Sequence, residues 1–244
     1  MLHKTLRAGC GALVCLICLT APWQTAQAGR RPLITLPYEI GDARSLPWNG
    51  PEWRDVKSDY ELNRLVDDTL ALLTPGTPVL VRMETLRRAA IYSAWARYDQ
   101  ETKFTVKDDK VSTALLARLL ERAQAAERKG ALNATDALAL FDAGYFVQVL
   151  NEATATQADR AKLPKVDGYA LVVKASGLRQ HDAAMEFAAA LMNFANRSVQ
   201  NEHLQKALAG APAGSLLARN LVKHFDERGR NLAELRASVG APPQ

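Results

Sequence analysis

The chain predicts an all-α fold: antiparallel helical hairpins, stacked as a short solenoid or gathered into an irregular bundle, behind an extended N-terminal arm. Three observations carry this. From Ser58 onward apolar residues recur at spacings of three and four, the period of one helix face. Breaks rich in glycine, proline and asparagine separate the apolar stripes. No run of alternating β-branched residues is long enough for a sheet, and Leu171-Val172-Val173, a strand-like stretch, has flanks that read as helix.

Residues 1–28 read as a secretory signal peptide. Lys4 and Arg7 are its positive segment, residues 11–21 its apolar segment, and Ala26-Gln27-Ala28 a small-residue cleavage site before Gly29. An apolar run of 11 residues falls short of the ~20 that cross a bilayer. All three cysteines, Cys10, Cys15 and Cys18, fall in this segment, so the exported domain is expected to use neither disulfides nor thiolate metal sites. Cleavage leaves 216 residues, one domain's worth. Losing Lys4 and Arg7 leaves 29 basic residues against 26 acidic ones, a net charge of +3 where the whole chain has +5. That balance is far from a nucleic-acid footprint. The expected location is the periplasm, with release outside the cell as the alternative.

Residues 29–56 form the arm. Pro32, Pro37, Pro47 and Pro51 prevent a helix there, while Leu33, Ile34, Leu36, Tyr38, Ile40, Trp48 and Trp53 are too apolar for a free linker. The arm is expected to lie on the helical body with the tryptophans as anchors. Residues 57–240 form a single helical domain, and 241–244 a frayed tail. The first helix is predicted over 58–73, with Ser58 and Glu61 as a capping box and Pro75-Gly76 as its stop. The second spans 78–98, with Met83, Leu86, Ala90, Ile91, Ala94, Trp95 and Tyr98 on one face. The third spans 107–129, with its stripe at Val111, Leu115, Leu116, Leu119, Leu120 and Ala123 and a stop at Lys129-Gly130. The fourth spans 134–155, striped by Leu138, Phe141, Tyr145, Val149 and Leu150. Gly144 inside it costs about 1 kcal/mol relative to alanine, which close approach by a neighbouring helix would explain. The fifth and sixth span 167–178 and 182–197, and shorter helices follow near 202–209, 214–225 and 231–239.

The segment Gly168-Tyr169-Ala170-Leu171 … Arg179-Gln180-His181-Asp182-Ala183-Ala184-Met185-Glu186-Phe187-Ala188-Ala189-Ala190-Leu191 resembles a tetratricopeptide-type hairpin. The resemblance implies two helices joined by a tight turn, with Ala188 as the small residue at their crossing and Phe187 or Leu191 as filler. Asp142-Ala143-Gly144-Tyr145 echoes Asp167-Gly168-Tyr169, and Met83-Glu84 echoes Met185-Glu186 at a distance of 102 residues, three periods of 34. The tryptophan and Leu-Gly signature of the family's first helix is missing, and the two Gly-Tyr pairs are 24 apart.

No catalytic, cofactor or metal motif emerges. His181, His203 and His224 are far apart, no H-E-x-x-H, G-x-S-x-G or phosphate-cradling glycine loop occurs, and cysteine is confined to the leader. Glu84 and Glu186 each follow a methionine near a helix start, where the helix dipole favours an acid. The basic cluster Arg82, Arg87 and Arg88, with Tyr145 and Tyr169, supplies candidate partner-binding residues. The expected function is a non-catalytic protein- or peptide-binding module in the bacterial cell envelope, without cofactor, nucleic acid or a transmembrane segment after cleavage. The alternative is a secreted enzyme using dispersed carboxylates on a cell-wall glycan.

Overall fold

The chain divides into two units, Met1–Arg30 and Arg31–Gln244. In a computed structural model the described residues are 33–53, 55–95, 110–129, 132–154, 160–226 and 231–240, all in the second unit. The signal segment, Gly130, Tyr98 and the tail 241–244 lie outside them.

Among the described residues the domain is all-helical. A single 3₁₀ turn, Leu62–Arg64, leads into α1 (Leu65–Leu72). There follow α2 (Val79–Trp95), α3 (Lys110–Glu127), α4 (Ala134–Ala153), α5 (Gly168–Leu178), α6 (Ala183–Met192), α7 (Arg197–Ala209), α8 (Leu216–Phe225) and α9 (Leu232–Ser238). Outside the helices, one isolated antiparallel bridge pairs Trp48 with Val56 at the end of the arm. No described helix is long and apolar enough to cross a membrane.

The caps account for most helix starts. Asn133 accepts from the N–H groups of Thr135 and Asp136, and Asp136 returns a bond to the N–H of Asn133. Such a reciprocal box satisfies donors the helix cannot, at a typical gain of about 1 kcal/mol. Asp167, Asp182, Asn196 and Ser215 cap α5 to α8 with a side-chain oxygen that accepts from backbone N–H groups, and Asn231 with Glu234 forms a second reciprocal box at α9. Two boundaries differ from those the sequence predicts. Ser58 caps nothing: the N–H of Lys57 donates to the Tyr92 hydroxyl (3.1 Å) and the Tyr60 hydroxyl to Asp68 (2.9 Å), so this stretch serves to close the arm and the helix begins later. The sixth helix ends at Met192, because Asn193 turns back to the carbonyl of Ala189 (3.0 Å) and Asn196 starts α7 in its place.

Helix α4 is the centre. It packs against α2, α3, α5 and α6, and 14 of its 20 residues are buried, so a single apolar stripe understates it. Hairpins α4/α5 and α6/α7 are closely packed, and the chain of contacts α3–α4–α5–α6–α7 stacks them in order. The turn between α5 and α6 holds Gln180 and His181 at φ 54° and 61°, in the left-handed region, and Ala188 and Phe187 are fully buried behind it.

The echo between the two Gly-Tyr pairs has a spatial cause. Gly144 of α4 and Gly168 of α5 face each other at the helix crossing. A Cβ on Gly144 would lie 2.5 Å from the carbonyl oxygen of Gly168 and 2.8 Å from Cβ of Leu171; one on Gly168 would lie 2.4 Å from the carbonyl oxygen of Gly144. The obstacle is backbone on both sides, so neither can yield cheaply. Gly177, near the end of α5, has nothing within 4 Å of its Cβ position. Gly144→Ala and Gly168→Ala are each expected to destabilise the domain by about 1–3 kcal/mol, the usual cost of overpacking. Gly177→Ala should be neutral or stabilising by up to about 1 kcal/mol. Urea unfolding of the three variants checks this; equal effects at Gly177 and Gly144 would contradict the close crossing.

Candidate functional site

The cluster predicted to face a partner is largely internal. Arg82 and Arg87 are 1% and 0% exposed, Tyr145 is fully buried, and only Arg88 and Tyr169 keep partial exposure. The reason is a set of buried acids that need them. Glu84, 0% exposed, accepts at Oε2 from Nε of Arg87 (2.7 Å) and at Oε1 from Nη2 of Arg87 (2.8 Å) and Nε of Arg88 (2.7 Å). The N–H of Tyr38 donates to Oε2 as a fourth bond (3.0 Å). Burial alone would raise this carboxyl, but the hydrogen bonds and charges of Arg87 and Arg88 outweigh it and hold it below the usual range. Tyr145 is spent on Tyr38, to whose hydroxyl it donates (2.7 Å).

These bonds hold the arm. Arg87 donates to the carbonyl of Ile34 (3.0 Å), Arg88 to that of Leu46, Lys223 to that of Pro37 (2.8 Å) and the Tyr92 hydroxyl to that of Pro47 (2.7 Å). Asn220 grips one peptide unit twice: its Oδ1 accepts from the N–H of Glu39 and its Nδ2 donates to the carbonyl of Glu39, each at 2.9 Å. The Trp48 ring lies against both guanidinium groups, 5.2 Å from that of Arg87 and 5.5 Å from that of Arg88. The tryptophan anchor expected at Trp48 is thus a cation–π contact as well as apolar cover.

A second buried acid, Asp142 of α4, accepts from Nη1 of Arg82 at 2.5 Å. The rest of that guanidinium donates to the carbonyls of Thr77 (3.0 Å) and Thr74. Here burial wins over the charge of Arg82, and the Asp142 carboxyl is pushed up to about 6.

The third, Glu186 of α6, joins three helices. Ser176 of α5 donates to Oε1 (2.7 Å), His181 Nδ1 lies 2.8 Å from the same oxygen, and His203 Nδ1 of α7 lies 2.6 Å from Oε2. Nε2 of His203 in turn lies 2.7 Å from the Tyr169 hydroxyl. Burial would raise Glu186, but these three hydrogen bonds bring it to about 2. Sequence reasoning considers the three histidines singly and misses this cluster, because its members are spread from Tyr169 to His203 over three helices and a turn. The available signal is an acid inside the apolar run Ala183–Met192. Both oxygens of Glu84 and of Glu186 are taken by the protein's own donors, so neither stands ready to act on an added substrate. Among the described residues no three His, Cys, Asp or Glu side chains converge as a metal site.

His224 of α8 is 6% exposed, and neither ring nitrogen has a hydrogen-bond partner among the described residues. It stacks on Tyr38 of the arm (centroids 4.8 Å apart, 12° between planes) and meets the edge of Phe187. Burial, with the charges of Lys223 and Arg87, depresses it to about 3.

The open feature beside the arm is a cleft of about 590 Å³, between arm residues Arg44–Pro47 and the segment from Lys57 to Leu72. Three cations, Arg44, Lys57 and Arg64, and three acids, Asp59, Glu61 and Asp68, line it with the half-buried Tyr60. No protein family, curated protein or solved structure matches the chain.

Two outcomes follow from the buried charges. Glu84→Gln keeps the shape but leaves the buried Arg87 without its anion, and is expected to cost about 3–5 kcal/mol in urea unfolding; a loss under 1 kcal/mol would contradict the network. His224 has a folded pKa depressed from 6.5 to about 3. The unfolded chain therefore takes a proton that the folded chain refuses, and this contribution to stability, full above pH 6.5, is lost as pH falls toward 3. His224→Phe, which retains ring contacts without the titrating group, should flatten the stability–pH profile in that window relative to the parent. An unchanged slope would show that His224 is not buried neutral.

Proposed function

We propose that this protein is an exported, non-catalytic binding module of the cell envelope that holds an extended polypeptide segment of a partner in the cleft between the arm and α1. The observation that supports this reading is how the domain treats its own arm. Glu84, Arg87, Arg88, Tyr92, Asn220 and Lys223 engage N–H and C=O groups of an extended chain, which is the chemistry of backbone recognition. The cleft runs beside the end of that arm, its volume lies in the ~300–1,000 Å³ range of ligand sites, and its wall carries both signs of charge on exposed side chains. Mixed charge with a tyrosine suits a polar peptide better than a lipid or a polyanion. The periplasmic setting rests on the signal-peptide pattern of residues 1–28.

Arg87 is unsuitable for testing the proposal, since reversing a buried charge unfolds the site it is meant to probe. A photo-crosslinking residue in place of Lys57 or Arg64, introduced in the producing cell, is expected to trap one discrete partner, while the same residue at the exposed Arg118 of α3 traps none. Mass spectrometry should map the adduct to one segment, and the synthetic segment should compete for crosslinking. Adducts equal at all three positions, or a segment that does not compete, would overturn the reading.

A further inference from the structure

A second pocket, of about 370 Å³, lies between the α1–α2 connection, α3 and α4. No residue lines both it and the cleft beside the arm. Leu73, Pro75, Ala126 and Leu138 give it apolar walls, and two polar groups in its lining have complementary, unmet needs. The first is Asp142, 4% exposed: Oδ2 is bonded to Arg82, but Oδ1 has no hydrogen-bond partner among the described residues. Arg82 cannot turn to serve it, because its remaining nitrogens are committed to the carbonyls of Thr74 and Thr77. The second is Arg122, exposed, which forms no hydrogen bond or ion pair among the described residues. The other charged pair in the lining, Lys129 and Asp136, is closed on itself at 2.5 Å.

A buried oxygen without a donor is a standing cost to a fold unless something else supplies the donor. The guanidinium of Arg122 on the same pocket feels the charge of Asp142 but donates no hydrogen bond among the described residues, so it can take an anion, and its planar fork matches a carboxylate. We propose that this pocket binds a small carboxylic acid that carries an N–H or O–H donor: the carboxylate on Arg122, the donor on Oδ1 of Asp142, and an apolar body against Leu73, Pro75, Ala126 and Leu138. Amino acids and 2-hydroxy acids share this chemistry and differ in the donor. The site is independent of the polypeptide cleft and stands or falls separately.

Calorimetric titration of the intact protein with four probes tests it. Leucine and 2-hydroxy-4-methylpentanoate carry both groups, 4-methylpentanoate lacks the donor, and leucinamide lacks the carboxylate. At least one of the first two is expected to bind, with the last two at least tenfold weaker; which of the first two binds identifies the donor. Arg122→Ala, at an exposed position whose fold is checked by circular dichroism, should weaken binding at least tenfold. No binding by either complete probe, equal binding by a probe lacking one group, or full binding by Arg122→Ala would each overturn the proposal.

Discussion

Glu84 is a carboxylate with no contact with water, and the domain is arranged to keep it charged. A buried anion is tolerable only when its lone pairs meet donors, and here four do so: three from the guanidinium groups of Arg87 and Arg88 and one from the backbone of Tyr38. The last of these makes the arm part of the solution. Removing the arm would orphan Glu84 on one side and strip Arg87 of the Ile34 carbonyl and the Trp48 ring on the other. The arm is therefore core material: Leu33, Ile34, Tyr38 and Leu46 are all buried in the same apolar cluster as α2 and α4.

The same device recurs on the three inner helices with different completeness. Glu84 on α2 is saturated, Glu186 on α6 is saturated by partners on α5, on α7 and in the turn between α5 and α6, and Asp142 on α4 is half satisfied. Asp142 and Glu186 interrupt apolar runs, and each of the three acids brings together elements remote in sequence. Apolar packing is non-directional, so a helix of alanine and leucine could slide or rotate with modest loss. A buried acid whose donors sit on other elements penalises such slips, because each wrong register leaves a charge unpaired. Gly144 and Gly168 add a steric counterpart, since their backbones meet at only one crossing.

Arg82, Glu84, Arg87, Asp142 and Glu186 spend their charges inside the domain, while most other described charged side chains stay at the surface. The conspicuous run Arg87-Arg88 looks in sequence like a surface patch and is in fact the counterion of Glu84. Arg44, Lys57 and Arg64 instead stand among acids in the cleft where the arm ends, and Arg122 lies on the α3–α4 pocket.

Much of the fold was legible in the chain itself. Period, caps and breaks located the helices, because these depend on residues within one or two turns of each other. Gly144 announced a close crossing by its cost, and the proline-rich, apolar arm announced that it would be covered. The boundaries near Ser58 and Arg197 were not legible, because tertiary bonds from Tyr92 and local turns by Asn193 compete with helix caps there. Nor were the acid clusters: the relations between Glu186, His203 and Tyr169, or between Glu84 and Tyr38, join residues tens of positions apart, and pairing energy depends on distance and burial, which linear spacing does not encode. The sequence by itself determined where helices form and which segments are apolar; only the tertiary structure decided which charges are inside, because burial is a property of the packed whole.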